Sequence, residues 1–122
     1  MFARVVVKPD RSRPPAYDSV TGKGRFQSFG CVRCGKSVSI DFKNYIGQFC
    51  DPEDVLGKAH ADSVMQHFGI QGQSLREGWP KVRIETCGGC AARYLVYIAE
   101  FEPRMSWCQG VLQGVTELSP SN

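Results

Sequence analysis

The alternation of apolar and polar residues along the chain predicts mostly β-strands. In SVSIDF, residues 37–42, every second side chain is apolar, which is the period of a strand with one buried face. The longest apolar run, YLVYIA at residues 94–99, is apolar on both faces and therefore predicts a central strand covered on both sides. Further strands are predicted at residues 2–7, 25–29, 81–86 and 111–118, with a turn at 103–110.

One helix is predicted for residues 52–68, between the two halves of the strand pattern. Asp51 is an N-cap acceptor followed by proline and acidic residues, and Gly69 is a stop signal. An apolar stripe repeats at every fourth position: Leu56, His60, Val64 and Phe68. His67 lies near this stripe, but it is two turns or about 10.5 Å from His60 along the axis. Because that separation is too long for one metal ion, both histidines are expected in the core or at its rim.

Two Cys-x-x-Cys motifs, CVRCG at residues 31–35 and CGGCA at residues 87–91, interrupt the apolar pattern. The spacing lets two thiolates of a tight turn face one ion, and two such turns supply four sulfurs in a tetrahedron. Strand-like sequence flanks each motif, as expected for two cysteine knuckles on two hairpins. The predicted cofactor is a structural Zn²⁺, and its predicted ligands are Cys31, Cys34, Cys87 and Cys90.

With these two knuckles, the chain resembles the zinc-ribbon group over residues 25–42 and 80–102. It departs from that group in the 52 residues between Cys34 and Cys87, which imply an insertion. Together with the predicted elements, the resemblance implies an α+β fold. That fold is a mainly antiparallel sheet with a zinc-ribbon-like core and one helix inserted between the knuckles. The whole chain, residues 1–122, is expected to form a single zinc-ribbon-like domain.

Three alternatives compete with zinc for the cysteine pairs. Disulfides suit a secreted chain, but the N-terminus MFARVVVKPD lacks the apolar stretch and cleavage site of a signal peptide. Thioredoxin-like redox chemistry requires a helix after Cys87, whereas the sequence there is aromatic and β-branched. Iron in a four-sulfur site has the same geometry as zinc, and the sequence leaves that alternative open.

The composition is that of a soluble globular protein, with 42% hydrophobic and 22% charged residues. The longest apolar run is too short to span a bilayer, so no membrane association is predicted. We expect a cytoplasmic protein, since disulfides rarely persist in that compartment and no secretion signal is visible.

Charge is unevenly distributed along the chain. The basic N-terminal segment, residues 1–36, holds eight Lys and Arg against two Asp, a net charge of +6; residues 37–122 hold seven against ten, a net charge of −3. A zinc ion with four thiolates carries −2, which lowers the formal net charge from +3 to +1. The candidate partner-binding residues are Arg4, Lys8, Arg11, Arg13, Lys23, Arg25, Trp79 and Trp107.

A zinc ion held by four cysteines has no open position for water or substrate, so it predicts stabilisation and not catalysis. No phosphate loop, paired-carboxylate site, nucleophile motif or small-molecule substrate is evident elsewhere. We therefore expect a non-enzymatic binding module that acts through a protein partner, as an adaptor, inhibitor or immunity-like protein. Nucleic-acid binding through the basic N-terminal segment is the alternative, and a thiol-redox enzyme is a more distant one. Cys50 and Cys108 are expected as small buried hydrophobic residues.

Overall fold

A computed structural model describes residues 2–9, 15–20, 23–24, 26–42, 49–69, 79–104 and 107–119. These ranges contain eight strands and two short helices. In chain order they are β1 (Phe2–Val7), β2 (Tyr17–Asp18), β3 (Lys23–Gly24), β4 (Phe26–Gly30), β5 (Ser37–Asp41), α1 (Pro52–Leu56), α2 (Lys58–His67), β6 (Trp79–Thr86), β7 (Arg93–Arg104) and β8 (Trp107–Leu118). The protein is therefore mostly antiparallel sheet with two small helices, which agrees with an α+β fold class.

A six-stranded antiparallel sheet has β8 at its centre. On one side β8 pairs with β7, and β7 pairs with β6. On the other side β8 pairs with β2 near its start and with β1 near its end, and β3 extends the sheet beyond β2. Strands β4 and β5 form a separate hairpin. The two Cys-x-x-Cys motifs therefore lie at the tips of two hairpins, β4–β5 and β6–β7.

Residues 94–99 of β7 are buried on both faces, which confirms the predicted central strand there. One face belongs to a core cluster to which the β4–β5 hairpin contributes Phe29, Val38 and Ile40. The opposite face belongs to a cluster to which the two helices contribute Leu56, Val64 and Phe68. The sheet is thus the middle of three layers, and burial of these apolar surfaces stabilises the arrangement.

The single helix predicted for residues 52–68 is two helices in the structure. Gly57 separates them with φ 78° and ψ 162°, a conformation that glycine adopts far more readily than other residues. Val64 is buried but His60 is exposed, so the prediction that His60 lies in the apolar stripe is wrong. The other three residues of the predicted stripe are nevertheless buried together in one core cluster: Leu56, Val64 and Phe68. The end of α2 just before Gly69 agrees with the sequence signal.

Strand β8 begins earlier than predicted. The turn expected at residues 103–110 is wrong for 103–104, which belong to β7, and for 107–110, where Gln109 pairs with Phe101 on one side and with Asp18 on the other. The sequence WCQG does not show the apolar–polar alternation that marks the other strands. Its extended conformation is therefore explained by backbone pairing with two neighbours and not by local pattern.

Neither helix of the described ranges is long and apolar enough to cross a membrane. The longer one, α2, has 10 residues. A membrane-spanning helix needs about 20 predominantly apolar residues.

Candidate metal centre

The first Cys-x-x-Cys turn closes the β4–β5 hairpin. The N–H of Cys31 donates to the carbonyl of Lys36 at 2.8 Å, and the N–H of Gly35 donates to the carbonyl of Cys31 at 2.9 Å. Gly35 has a φ of 78°, which glycine adopts without a steric penalty. Closed in this way, the turn carries Cys31 and Cys34 at the tip of the hairpin.

The second turn repeats the hydrogen bonds of the first. The N–H of Cys87 donates to the carbonyl of Ala92 at 2.8 Å, and the N–H of Ala91 donates to the carbonyl of Cys87 at 2.9 Å. Ala91 occupies the position that corresponds to Gly35, with a φ of 63°. It is the one non-glycine residue with positive φ in the part of the chain that the structure describes. The turn geometry therefore imposes a left-handed conformation that alanine adopts only at a cost.

The four cysteine sulfurs meet between the two hairpin tips. All lie within 4.8 Å of one another, and the Sγ–Sγ distance is 3.5 Å both from Cys31 to Cys90 and from Cys34 to Cys87. Four sulfurs placed tetrahedrally around an ion at about 2.3 Å lie about 3.8 Å apart. Two separations are close to that value and none exceeds 4.8 Å, so the structure brings the predicted ligand set together in an arrangement that could hold one metal ion.

The surroundings of the cysteines differ from those of a redox-active pair. Both motifs lie between strands, so neither Cys31 nor Cys87 stands at a helix N-terminus, where the helix dipole would lower the thiol pKa. All six cysteines of the chain are free. Cys31 and Cys87 are buried, whereas Cys34 and Cys90 are exposed. Each turn therefore contributes one buried and one exposed sulfur to the cluster.

The buried hydroxyl of Tyr94 lies against the cluster. It donates a hydrogen bond to Sγ of Cys31 at 3.1 Å and accepts one from the N–H of Val32 at 3.0 Å. Its ring packs edge-on against Phe29, with ring centroids 4.9 Å apart. The sequence pattern places Tyr94 in a buried strand and predicts nothing further about its hydroxyl. Its contact with a ligand sulfur depends on how the two hairpins pack, which no local pattern reports.

Hydrogen bonds and burial shift the pKa values of three of the four clustered thiols. The hydrogen bond from Tyr94 is the main reason that the pKa of Cys31 falls to about 6, although burial opposes the shift. Backbone hydrogen bonds at Gly89 and Cys90 lower the pKa of Cys87. Cys90 differs: a backbone hydrogen bond at Ala92 lowers its pKa, but burial and the neighbouring thiols together raise it to about 12. Without a cation, the close sulfurs therefore do not all ionise together, and a bound metal ion would favour the thiolate form of each.

A buried acid holds the first knuckle to the sheet. The Nε of Arg33, within the first knuckle, lies 2.6 Å from Oε2 of Glu117 on β8. The Glu117 side chain is 3% exposed, and its other oxygen, Oε1, lies 3.8 Å from Nε of Arg4. The sequence does not predict this role of Glu117, since a lone acid in an apolar strand gives no sign of its partner. The contact fixes the orientation of the knuckle relative to β8.

The predicted basic partner residues are only partly described. Three of them lie outside the described residues: Arg11, Arg13 and Arg25. Lys23 belongs to β3, and its side chain is also outside the description. Lys8 follows β1 and is exposed, and Arg4 is 69% exposed beside Glu117. The structure therefore places two of the six on a described surface.

The two tryptophans that are predicted to bind a partner have different surroundings. Trp79, at the start of β6, is 47% exposed. Trp107 is half-buried, and its Nε1 donates a hydrogen bond to Oδ1 of Asp18 at 3.0 Å. Trp107 therefore contributes to the packing of β8 against β2, whereas Trp79 offers an aromatic surface to solvent.

The remaining cysteines and His67 lie apart from the cluster. Cys50 and Cys108 are half-buried, less than expected for core residues. The backbone of Cys50 pairs with Val82, and Sγ of Cys108 donates to Oε1 of Glu100 at 2.7 Å. His67 is half-buried, as expected for the rim of the core, and burial lowers its pKa. Within the described ranges, the four-cysteine cluster is the one group of histidine, cysteine and acidic side chains placed to hold a metal.

No protein-family model, curated protein or solved structure matches this chain. Its function is therefore inferred from its own residues and their arrangement.

Proposed function

We propose that this protein is a non-enzymatic, zinc-stabilised binding module that acts through a protein partner, as an adaptor, inhibitor or immunity-like protein. The observation that carries the proposal is the cluster of four cysteine sulfurs at the tips of two hairpins, all within 4.8 Å of one another. Four thiolates favour Zn²⁺, and they complete its tetrahedral coordination without a position for water or substrate.

The knuckles support a zinc-ribbon-like core. Each Cys-x-x-Cys turn closes a hairpin with the same two backbone hydrogen bonds, and the pairs face each other across one site. The β4–β5 hairpin is a separate two-stranded sheet. A metal ion coordinated by Cys31 and Cys34 of this hairpin and by the second knuckle would therefore join it to the larger sheet. Zinc would thus stabilise the whole fold, and the inserted helices would pack on the zinc-ribbon-like core.

Charge and exposure favour a protein partner over nucleic acid. The formal net charge of +3 falls to +1 when four thiolates bind one Zn²⁺. Arg4 and Arg33 both lie beside the buried carboxylate of Glu117, which offsets part of their charge. Trp79 has 47% of its surface exposed, and tryptophan is among the residues most enriched in protein–protein hot spots.

Nucleic-acid binding is the second candidate, and one feature of the knuckles favours it. Arg33 and Lys36 at the first tip and Arg93 at the second are all exposed. These three side chains would give the hairpin tips a positively charged edge that phosphates could contact. In that case each lost phosphate contact lowers the salt slope of binding by roughly one unit.

A pull-down from native lysate, with and without nuclease, separates the two candidates. We expect the zinc-loaded chain to retain one stoichiometric protein whose recovery resists nuclease. The chain stripped of metal serves as the control and is expected to lose that partner, because the fold that presents the binding surface depends on the ion. Loss of every bound molecule after nuclease treatment would contradict the proposal and favour the nucleic-acid candidate.

A further inference from the structure

A cavity of about 490 Å³ opens between the two helices and the start of β6. Its apolar lining includes Pro52 on α1, Val64 on α2 and Pro80 on β6, and all three are buried. None of the four clustered cysteines is among its described lining residues. The cavity is therefore distinct from the metal centre, and its size suits a side chain or a short peptide segment.

The polar lining of the cavity is strongly acidic. Its described residues supply four carboxylates and one ammonium group, a net charge of −3: Asp51, Glu53, Asp62, Glu100 and Lys81. The Nζ of Lys81 lies 2.7 Å from Oδ1 of Asp51 and 3.9 Å from Oε2 of Glu100. Within the described part of the chain, neither Glu53 nor Asp62 takes part in an ion pair. Two carboxylates at the cavity thus lack a cationic partner among the residues that the structure describes.

Trp79 adds an aromatic wall beside these acids. In β6 it lies directly opposite Glu100 of β7, so the two side chains share one face of the sheet. Trp79 is 47% exposed, more than any other aromatic side chain whose burial the structure describes. An indole face attracts a cation, most often a planar guanidinium, whose N–H groups can at the same time bind carboxylates.

A metal ion does not fit the same cavity. Outside the cysteine cluster, the described acidic side chains do not bring three ligand atoms close enough together to hold one. The cavity instead combines spread carboxylates, an apolar floor and an aromatic wall, which complement an extended cation with an aliphatic stem. From this geometry we infer that the cavity binds an arginine side chain on a peptide segment of the partner protein. The inference rests on the proposed function and names the surface through which it operates.

Titration with a short blocked peptide, one arginine flanked by glycines, tests the inference on the zinc-loaded full chain. The readout is the indole N–H resonance of Trp79, with that of Trp107 as an internal reference. We expect a saturable shift of the Trp79 signal with the arginine peptide and none with the same peptide carrying citrulline, which has the shape but not the charge. Equal shifts with both peptides, or a shift confined to Trp107, would overturn the inference.

Two substitutions with a matched control locate the peptide. Calorimetric titration, which does not need the Trp79 resonance, is expected to show that Asp62→Asn and Trp79→Ala each weaken peptide binding about fivefold, the effect of losing about 1 kcal/mol of ionic or cation–π attraction. Asp54→Asn removes the same charge from an exposed residue of α1 that is outside the described cavity lining, and less than a twofold change is expected. Identical effects of Asp62→Asn and Asp54→Asn would show that the peptide responds to overall charge and not to the cavity.

The same variants separate failure of this inference from failure of the proposed function. If a nuclease-resistant partner is retained equally by the wild-type chain and by Trp79→Ala, the function stands and the cavity is not its binding site. If the wild-type chain retains no protein but binds the arginine peptide at Trp79, the cavity assignment stands and the adaptor function is refuted.

Discussion

The Nε of Arg33 lies 2.6 Å from Oε2 of Glu117, a carboxylate that is only 3% exposed. This ion pair joins the first cysteine knuckle to the central strand β8, so the metal centre and the sheet are connected through a side-chain contact as well as through sulfur. Arg33 is 48% exposed, and solvent therefore weakens the attraction relative to a fully buried pair.

Arg33→Ala is expected to lower the free energy of unfolding by about 1–3 kcal/mol, because it leaves the buried carboxylate of Glu117 with only the more distant Arg4. Chemical denaturation of the zinc-loaded protein measures the effect. Arg93→Ala, an exposed arginine beside the second knuckle, serves as the control with an expected change below about 0.5 kcal/mol. Equal losses for the two variants would show that the Glu117 contact contributes nothing specific.

Tyr94→Phe is expected to weaken zinc affinity by about tenfold or more while leaving the fold intact. The change removes the hydrogen bond to Sγ of Cys31 but keeps the ring against Phe29. Competition with a chelator of known affinity measures the effect. Tyr97→Phe, at the other buried tyrosine of β7, is the matched control because Tyr97 packs on the helix side. Unchanged zinc affinity in Tyr94→Phe would refute a role for this hydroxyl at the site.

The corresponding positions of the two knuckles should respond in opposite directions to exchange of glycine and alanine. Gly35→Ala is expected to destabilise the zinc-loaded protein by about 1–2 kcal/mol, because φ is 78° although a Cβ there meets no atom within 4 Å. Ala91→Gly is expected to be neutral or to stabilise by up to about 1 kcal/mol, since it relieves a φ of 63°. Denaturation curves measured under the same conditions decide between these outcomes. Changes of the same sign would contradict the equivalence of the two turns.

Loss of one clustered cysteine should cost far more stability than loss of an isolated one. Cys87→Ser is expected to lower the melting temperature by on the order of 10 °C or more, because it removes a ligand from the ion that joins two hairpins. Cys108→Ser should change it little, since a serine hydroxyl can donate to Glu100 as the thiol does. Thermal unfolding followed by circular dichroism compares the two variants. A similar shift in both would count against a structural ion at the four cysteines.

The sequence was sufficient for the features that depend on local pattern. The alternation in residues 37–42 and the two-sided apolar run at 94–99 predict β5 and the centre of β7, because a strand covered on one face buries every second side chain and a strand covered on both faces buries all of them. The cysteine spacing likewise predicts the cluster of four sulfurs, since each turn has a fixed local geometry. Such features are encoded within a few residues.

The features that the sequence did not reveal depend on contacts between distant residues. Glu117 acquires its role from Arg33, and Tyr94 acquires its role from Cys31, only after the hairpins pack. The strand at residues 107–110 is likewise fixed by its two neighbours in the sheet. Gly57 is a different case, because a helix interior tolerates glycine and the break becomes visible only in its φ of 78°.

The metal content of the chain purified without added metal tests most directly whether the four clustered cysteines hold one zinc ion. Elemental analysis is expected to show about one equivalent of zinc in the wild-type protein and in Cys108→Ser, and a large loss in Cys87→Ser, because four thiolates complete one tetrahedral site. One equivalent of iron instead of zinc would keep the four-cysteine site but correct the identity of its ion. A wild-type chain that is well folded and free of metal would contradict the account.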